Sequence, residues 1–434
     1  MARIGAKRTT GWKATIAVAM SNYIEAGSII AIATSLGFWQ VEFGFTDGFA
    51  GLLAALSANA FGAAVGAIIG GPLCDRLGRK FIYTYDLMLY MVGVLIAAFA
   101  VNSGMLMLAF ILTGIAVGAG VPASWTYIAE EAPSAQRAKH VGTAQLAWSV
   151  GPAIGFLLAA LLEPMGLFGS RIIFIHLFVV AFITWWVRQG LSESKRWTET
   201  KNLRVQNGSQ KVLGGRGFKA LLGRKKNLTA LLFLIGVYGF WNTVAGQAGI
   251  FMPRVYDAAG FTNSQQQFFL QSFLWLCTVI GTYFGFMLLA DRMSRRLLYF
   301  IGAAMGIAGW VVLVYLPASG WTMFAFAVLW GLASGIGAQA FYGLWTAELF
   351  STQYRASAQG LLFFAARIMV GLLSYGFPVW LVSMGLHGLG AILIAILAVS
   401  LIVGSIWAPN TQGKSLEEIE QERYGADEPD LARV

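Results

Sequence analysis

The 434-residue sequence has two cysteines, three histidines and only 12% charged residues. Cys74 and Cys277 lie far apart and have no metal-ligand spacing, so a disulfide scaffold and a zinc site are excluded. Three scattered histidines do not supply the nucleophile–base pair or metal cluster that a membrane enzyme needs. No GxxxxGK[ST] phosphate loop is present, which removes a primary pump. No enzymatic activity, metal or cofactor is therefore expected. Soluble domains carry about 25% charged residues. This chain has half of that and is 57% hydrophobic, which excludes a soluble enzyme and a disordered chain.

In place of charge there are long apolar runs. About 20 apolar residues cross a bilayer, and such runs fall near 14–38, 49–73, 81–101, 105–129, 140–162 and 171–190. They resume near 228–252, 264–289, 298–316, 321–347, 358–384 and 388–408. The first run, with Ala31-Ile32-Ala33, looks superficially like a signal peptide. It is too long, contains Glu25 and precedes eleven more runs, so it reads as the first span. The expectation is an all-α membrane protein of twelve transmembrane helices in two six-helix bundles. Residues 1–190 form the first bundle, 191–227 a cytoplasmic linker, 228–408 the second bundle and 409–434 a polar tail. In that tail Ser415-Leu416-Glu417-Glu418 reads as the capped start of a short helix.

The net charge of +10 is a topology signal and does not indicate a nucleic-acid partner. Arg3, Lys7, Arg8 and Lys13 precede the first span, and eleven cations lie between Arg188 and Lys226. Clusters also stand at Arg76–Lys80 and Arg292–Arg296, whereas the alternate loops carry little beyond Arg171 and Arg254. This positive-inside alternation puts both termini in the cytoplasm of a plasma membrane, expected to be a bacterial inner membrane. Lipid bilayer, a small solute and a proton are the expected partners, and a monomer the expected form.

The two halves repeat one another. Ala129-Glu130 … Arg137-Ala138 … Gly142 recurs as Ala347-Glu348 … Arg355-Ala356 … Gly360, and Asp75-Arg76 … Arg79 recurs as Asp291-Arg292 … Arg295. A near-constant offset of about half the chain indicates duplication, a design found in secondary transporters.

The loop after the second span reads Gly71-Pro72-Leu73-Cys74-Asp75-Arg76-Leu77-Gly78-Arg79-Lys80. An Asp beside a helix N-terminus gains from the dipole, and the arginines can bridge to a facing carboxylate. This GxxxDRxGRK string resembles the signature of the major facilitator superfamily. Gln145-Leu146 … Gly151, Glu193-Ser194-Lys195-Arg196-Trp197, Glu348-Leu349-Phe350 … Arg355 and Pro409-Asn410-Thr411-Gln412-Gly413-Lys414-Ser415-Leu416-Glu417-Glu418 resemble its sugar porter branch. The resemblance covers essentially the whole chain and implies alternating access by rocking of two bundles about a central site. The chain departs from the branch at Phe110, where an Arg is usual, at Met287 and Ser294 in the second loop, and in the seventh span, which offers Asn242 and Gln247 at altered spacing. Asp75, Arg76, Arg79, Glu130, Arg137, Glu193, Arg196, Asp291, Arg292, Glu348 and Arg355 are the candidate gate charges. The plain alternative is that they are solvated loop residues.

Charges at bilayer depth are costly and mark function. Glu25 lies about ten residues from either end of the first span, too far to reach water, and matches the first-helix acid of sugar–proton symporters. Burial favours the neutral acid and a neighbouring cation the carboxylate, so an acid that alternates between them carries a proton per cycle. Arg367 is the candidate counter-charge, to Glu25 or to an anionic solute; alternatively it snorkels to the cytoplasmic face. Asp86 is close enough to the cytoplasmic end to pair with gate arginines, and His176 reads as a packing residue.

Gln145, Asn242, Gln247 and Gln339 suit hydroxyl recognition as paired donors and acceptors. Trp148, Tyr238, Trp241, Tyr342 and Trp345 offer flat faces to a ring. Gly62, Gly66 and Gly70 repeat every fourth residue, as close helix packing requires. Together these point to proton-coupled symport of a small polyhydroxylated solute: a sugar, polyol or cyclitol. The alternatives are symport of an organic anion such as a sugar acid, bound by Arg367, and a drug–proton antiporter suggested by Gly151-Pro152-Ala153-Ile154-Gly155.

Overall fold

The computed structural model describes residues 12–133, 136–206, 221–351 and 354–425. Arg3, Lys7 and Arg8 and residues 207–220 of the linker lie outside the described residues. All regular elements among the described residues beyond isolated bridges and turns are helical. Among the described residues, ten helices are long and apolar enough to cross a membrane. Two of them, Arg137–Arg188 and Arg355–Trp407, run 52 and 53 residues, about twice what a crossing needs. The first turns back through the short helix Glu163–Met165 and Gly166 (φ 56°), the second at Gly385 (φ 68°). Both glycines adopt left-handed backbone that a Cβ would disfavour. Twelve crossings result, and the protein is an all-α membrane protein.

In the first half the helices are α1 (Trp12–Phe43), α2 (Asp47–Leu56), α3 (Phe61–Leu77), α4 (Arg79–Ala98), α5 (Ser103–Glu131), α6 (Arg137–Leu162) and α7 (Gly166–Arg188). A connecting helix, α8 (Lys195–Gln206), follows. The second half has α9 (Lys225–Leu234), α10 (Phe240–Ile250), α11 (Met252–Ala258), α12 (Ser264–Ile280), α13 (Arg295–Tyr315), α14 (Gly320–Ile336), α15 (Ala338–Leu349) and α16 (Arg355–Trp407), then α17 (Leu416–Tyr424) in the tail. Ser415 caps α17 as its sequence indicates: Ser415 Oγ accepts from the Glu418 amide, and the Glu418 carboxylate accepts from the Ser415 amide at 2.6 Å.

Four crossings are interrupted. The second breaks at 57–60 between α2 and α3, where Ser57 Oγ donates to the Ala54 carbonyl and accepts from the Asn59 amide. The seventh contains a π-turn at Ile235–Gly239, the eighth ends in one at Gly281–Met287, and the tenth breaks at Gly337. Interruptions of this kind gather where a helix must present irregular backbone to a site.

In lipid, helices associate by close approach of small residues. A Cβ on Gly66 would lie 2.1 Å from the Ile115 carbonyl oxygen, and one on Gly118 2.0 Å from that of Ala63. The α3–α5 contact is therefore backbone against backbone and cannot yield as a flexible side chain would. Gly66→Val should cost about 1–3 kcal/mol or more through overpacking and sharply lower the monodisperse fraction on size-exclusion chromatography. A wild-type profile would show that the two helices can separate freely.

Candidate functional site

Glu25 occupies the middle of α1, which is pinned on either side of it. Asn22 Nδ2 donates to Ser124 Oγ at 3.0 Å, and Ser28 Oγ meets the Tyr90 hydroxyl at 2.7 Å. The Glu25 side chain is completely buried. It is ion-paired, through Oε1, with Nη2 of Arg367 on α16, a residue of the opposite half that is itself 2% exposed. Arg367 therefore does not snorkel to a membrane face. Its Nη1 donates at 2.9 Å to the carbonyl of Asn59, in the break between α2 and α3, and its guanidinium lies 4.4 Å from the Phe363 ring centroid. The interrupted helix frees the carbonyl that the arginine needs, since regular helix would hold it in an internal bond. Burying a charge pair is costly, and removing one partner alone strands the other at about 3–5 kcal/mol.

Beside the pair lies a cavity of about 10 Å³, lined by Asn59, Trp148, Asn242, Trp275 and Arg367 among others. That is room for about one water. Trp148 of α6 lines this cavity and meets Trp275 of α12 edge to face, with centroids 5.1 Å apart, so these rings join the two halves. Gln145, one turn before Trp148, is completely buried, and neither its Oε1 nor its Nε2 has a hydrogen-bond partner. Asn242 Nδ2 and Trp275 Nε1 are likewise buried without partners. An unmet buried polar group costs about 1–3 kcal/mol, a cost that recurs where a ligand is to be held. The arrangement can therefore offer donors and acceptors, an apolar indole wall and an ion pair to one small polar solute.

The other binding candidates are placed differently. Gln247 donates to the Val370 carbonyl and accepts from Ser374 Oγ, tying α10 to α16. Tyr238 stacks on Tyr342 at 4.0 Å, and the Tyr342 hydroxyl donates to the Gln359 carbonyl. Trp241 stacks on Trp330 and faces a second small cavity. Trp345 packs among Phe233, Phe341 and Tyr299, and Gln339 is buried at the start of α15. Trp275 was not marked out by the sequence, because nothing in its local pattern separates it from fourteen other tryptophans.

At the basic-loop end, two carboxylates each hold one arginine from either half. Glu130 Oε1 accepts from Arg79 at 2.7 Å and from Arg355 of the second half at 3.3 Å. Glu348 accepts from Arg295 at 2.9 Å and from Arg137 of the first half at 3.0 Å. Asp75 accepts from both the amide and the hydroxyl of Ser357, each at 2.7 Å, and lies 3.5 Å from Arg79. Asp291 pairs with Arg295 at 3.3 Å; burial, its largest influence, pushes its carboxyl above the usual range. Glu193 accepts from the amides of Arg79, Lys80 and Ser194 and so organises the loop backbone. Arg76 and Arg292 are exposed, and the Arg196 side chain lies outside the described residues. Within each loop motif the arginine that reaches the carboxylate of its own half is the one four residues after the Asp, Arg79 or Arg295, while Arg355 and Arg137 make the bonds between the halves.

One expectation changes, and it concerns Asp86. Asp86 sits in the field of Arg188 and apart from the gate cations; Arg188 binds the Ala17 and Val18 carbonyls and Ser21 Oγ. His176 bonds the Tyr23 hydroxyl at 2.9 Å, two residues from Glu25. At the end opposite the gate, Arg254 donates to Asp47 and Gln40 at 2.7 Å each, again across the halves.

The chain is 43% identical over 417 residues to the minor myo-inositol transporter IolF of Bacillus subtilis, covering 95% of this chain and 94% of that one. It is 25% identical to the facilitated trehalose transporter Tret1 of Bombyx mori, over 82% of this chain and 76% of that protein. Among solved structures, the proton:xylose symporter XylE bound to 6-bromo-6-deoxy-D-glucose superposes with a TM-score of 0.77 at 19% identity, over 95% of this chain and 98% of that one. The family described as the Major Facilitator Superfamily matches residues 14–372. With its duplicated, twelve-crossing fold and its close relative among transporters, the chain belongs to the Major Facilitator Superfamily.

Proposed function

We propose that the protein is a proton-coupled symporter of a small, neutral, polyhydroxylated solute, a sugar, polyol or cyclitol, working by alternating access. The observation that carries this reading is the Glu25–Arg367 pair, which joins the two halves beside a cavity edged by unpartnered amide and indole groups. Residues 1–190 and 228–408 act as the two rocking bodies, with residues 191–227 linking them.

The coupling follows from electrostatics. As a carboxylate, Glu25 holds Arg367 and so holds the halves together. Protonation removes that attraction and leaves the guanidinium on the Asn59 carbonyl and the Phe363 face. The halves can then reorganise around a bound solute, whose hydroxyls take the free bonds of Gln145, Asn242 and Trp275. On the far side the proton leaves, and the ion pair re-forms.

A neutral solute is favoured because Arg367 is already neutralised by Glu25 within the protein. The Gly151–Gly155 segment that suggested an antiporter packs against α1, with a Cβ on Gly151 meeting the Tyr23 carbonyl at 2.7 Å. The similarity to the inositol transporter IolF supports the polyol class. The alternation of basic loops assigns that side, and with it both termini, to the cytoplasm, and the protein, as a monomer, to a plasma membrane.

The test is uptake into proteoliposomes with an imposed pH gradient, using a panel of neutral polyols and the corresponding sugar acids. Accumulation of a neutral polyol only when the outside is acidic supports the proposal; accumulation of acids alone overturns it. Gln145→Leu should raise the half-saturating concentration of that solute about 10- to 100-fold, the equivalent of about 1–3 kcal/mol of lost hydrogen bonding. Unchanged saturation would remove Gln145 from the solute site.

A further inference from the structure

Asn59 is held in the break between α2 and α3 by its main chain and its side chain together. Its amide donates to Ser57 Oγ at 3.1 Å, and its carbonyl accepts from Arg367 Nη1 at 2.9 Å. Its side-chain Nδ2 donates at 3.1 Å to the carbonyl of Gly246 on α10. The last two bonds reach the opposite half, so this residue ties the second crossing to both the eleventh and the seventh. Asn59 is completely buried and, like Gly246, lines the small central cavity.

The bond to Gly246 settles which way the side-chain amide faces. A carbonyl oxygen only accepts, so it must meet the Asn59 nitrogen, and Oδ1 is left on the other side. That oxygen is enclosed and has no hydrogen-bond partner. A Cβ built on Gly246 would stand 3.4 Å from it, so the glycine leaves the space beside the oxygen uncrowded. The polar groups around it behave differently. Trp275 Nε1 and Arg367 Nε, also buried without partners, can only donate. Gln145 and Asn242 have amide nitrogens that nothing holds, and they can turn to present either end. Asn59 Oδ1 is therefore an acceptor fixed in place, and only a group with a proton to give satisfies it. A hydroxyl has one; an ether, a ketone, a carboxylate and a fluorine do not.

We propose that Asn59 is a specificity-determining residue of the solute site, its Oδ1 accepting from one particular hydroxyl of the solute. The assignment rests on the symport reading above and adds to it a required donor at one position of the solute. A site built to bond a hydroxyl rejects the analogue that lacks it, because the protein atom is then stranded. The same residue supplies the carbonyl that holds Arg367, so the hydroxyl is recognised beside the counter-charge of Glu25.

The experiment reconstitutes the full chain and measures counterflow. The probe is the neutral cyclitol, alditol or sugar that wild-type proteoliposomes accumulate, with the set of its analogues in which fluorine replaces one hydroxyl at a time. In the wild type at least one position should stand out, its fluoro analogue raising the half-saturating concentration about 10-fold or more. Asn59→Ala should weaken the parent solute and abolish the discrimination at one such position, so that parent and analogue agree within about twofold. A merely structural defect at the helix break would raise both alike and keep every ratio, which overturns the proposal. So would a wild-type scan in which no position depends on its hydroxyl. If Asn59→Ala fails to fold, Asn59→Ser, which keeps a hydroxyl in place of the amide, decides on the same ratio. Wild-type protein that accumulates no neutral polyol defeats the symport reading, and this assignment with it, before any variant is made.

Discussion

Glu25→Gln should abolish solute accumulation against a gradient while leaving solute exchange across the membrane intact. The glutamine keeps the size of the side chain and can accept a hydrogen bond from Arg367, but it cannot take up and release a proton. It resembles the protonated state at every pH, so the protein should still bind solute and reorient with it. The steady-state accumulation ratio, at least tenfold under a pH difference of two units in the wild type, should fall to about 1. Counterflow should persist at a rate within a few-fold of wild type. Uphill accumulation by this variant would mean that the coupling proton travels elsewhere. The companion Arg367→Met should instead fail on stability, because it leaves a buried carboxylate without its cation at a cost of about 3–5 kcal/mol. Adding Glu25→Gln to it should recover much of that stability but no coupling.

The second large effect concerns the gate. Glu348 is shared by Arg295 and Arg137, so Glu348→Gln takes its carboxylate from both buried guanidiniums and leaves Asp291 beside Arg295 alone. That cost applies only while the halves are closed at the basic-loop end; once they part, both arginines meet water. At about 3 kcal/mol the ratio of closed to open forms changes by about two orders of magnitude. Spin labels at Arg76→Cys and Arg292→Cys, exposed positions related by the repeat, with Cys74 and Cys277 replaced by Ser, would report it. The expected outcome is a shift of the interlabel distance distribution to longer values. Identical distributions would show that these charges do not hold the gate.

Much of this organisation was legible in the sequence because it rests on features that physics makes conspicuous. Twelve apolar runs, alternating basic loops and a repeated Glu–Arg spacing leave few alternatives in a bilayer. Glu25 stands out because a charge there is expensive. Which arginine of the loop motif reaches the gate carboxylate was less visible. Arg76 follows its Asp by one residue and points elsewhere on the helix, whereas Arg79, four residues on, returns to the same face. The crosswise sharing of Glu130 and Glu348 depends on how two bodies meet, and no local pattern encodes that. The partner of Arg367 was left open between Glu25 and a ligand for the same reason. The helix break at 57–60 has only Ser57 and Asn59 as signals, both common in intact membrane helices. Gln247 and Trp345 resemble binding residues in composition, yet they are taken up by internal packing.

The dependence of Glu25 on a cation 342 residues later in the chain also bears on how the protein is made. When the first six segments leave the ribosome and enter the membrane, the arginine that neutralises Glu25 and ties down the Asn59 carbonyl has not been synthesised. The nascent first half must wait in lipid with its most costly groups unmet, sheltered only by its own helices or by the insertion machinery. A chain truncated before residue 367 should therefore be a preferred target of membrane quality-control proteases, even though every segment it contains can cross the bilayer.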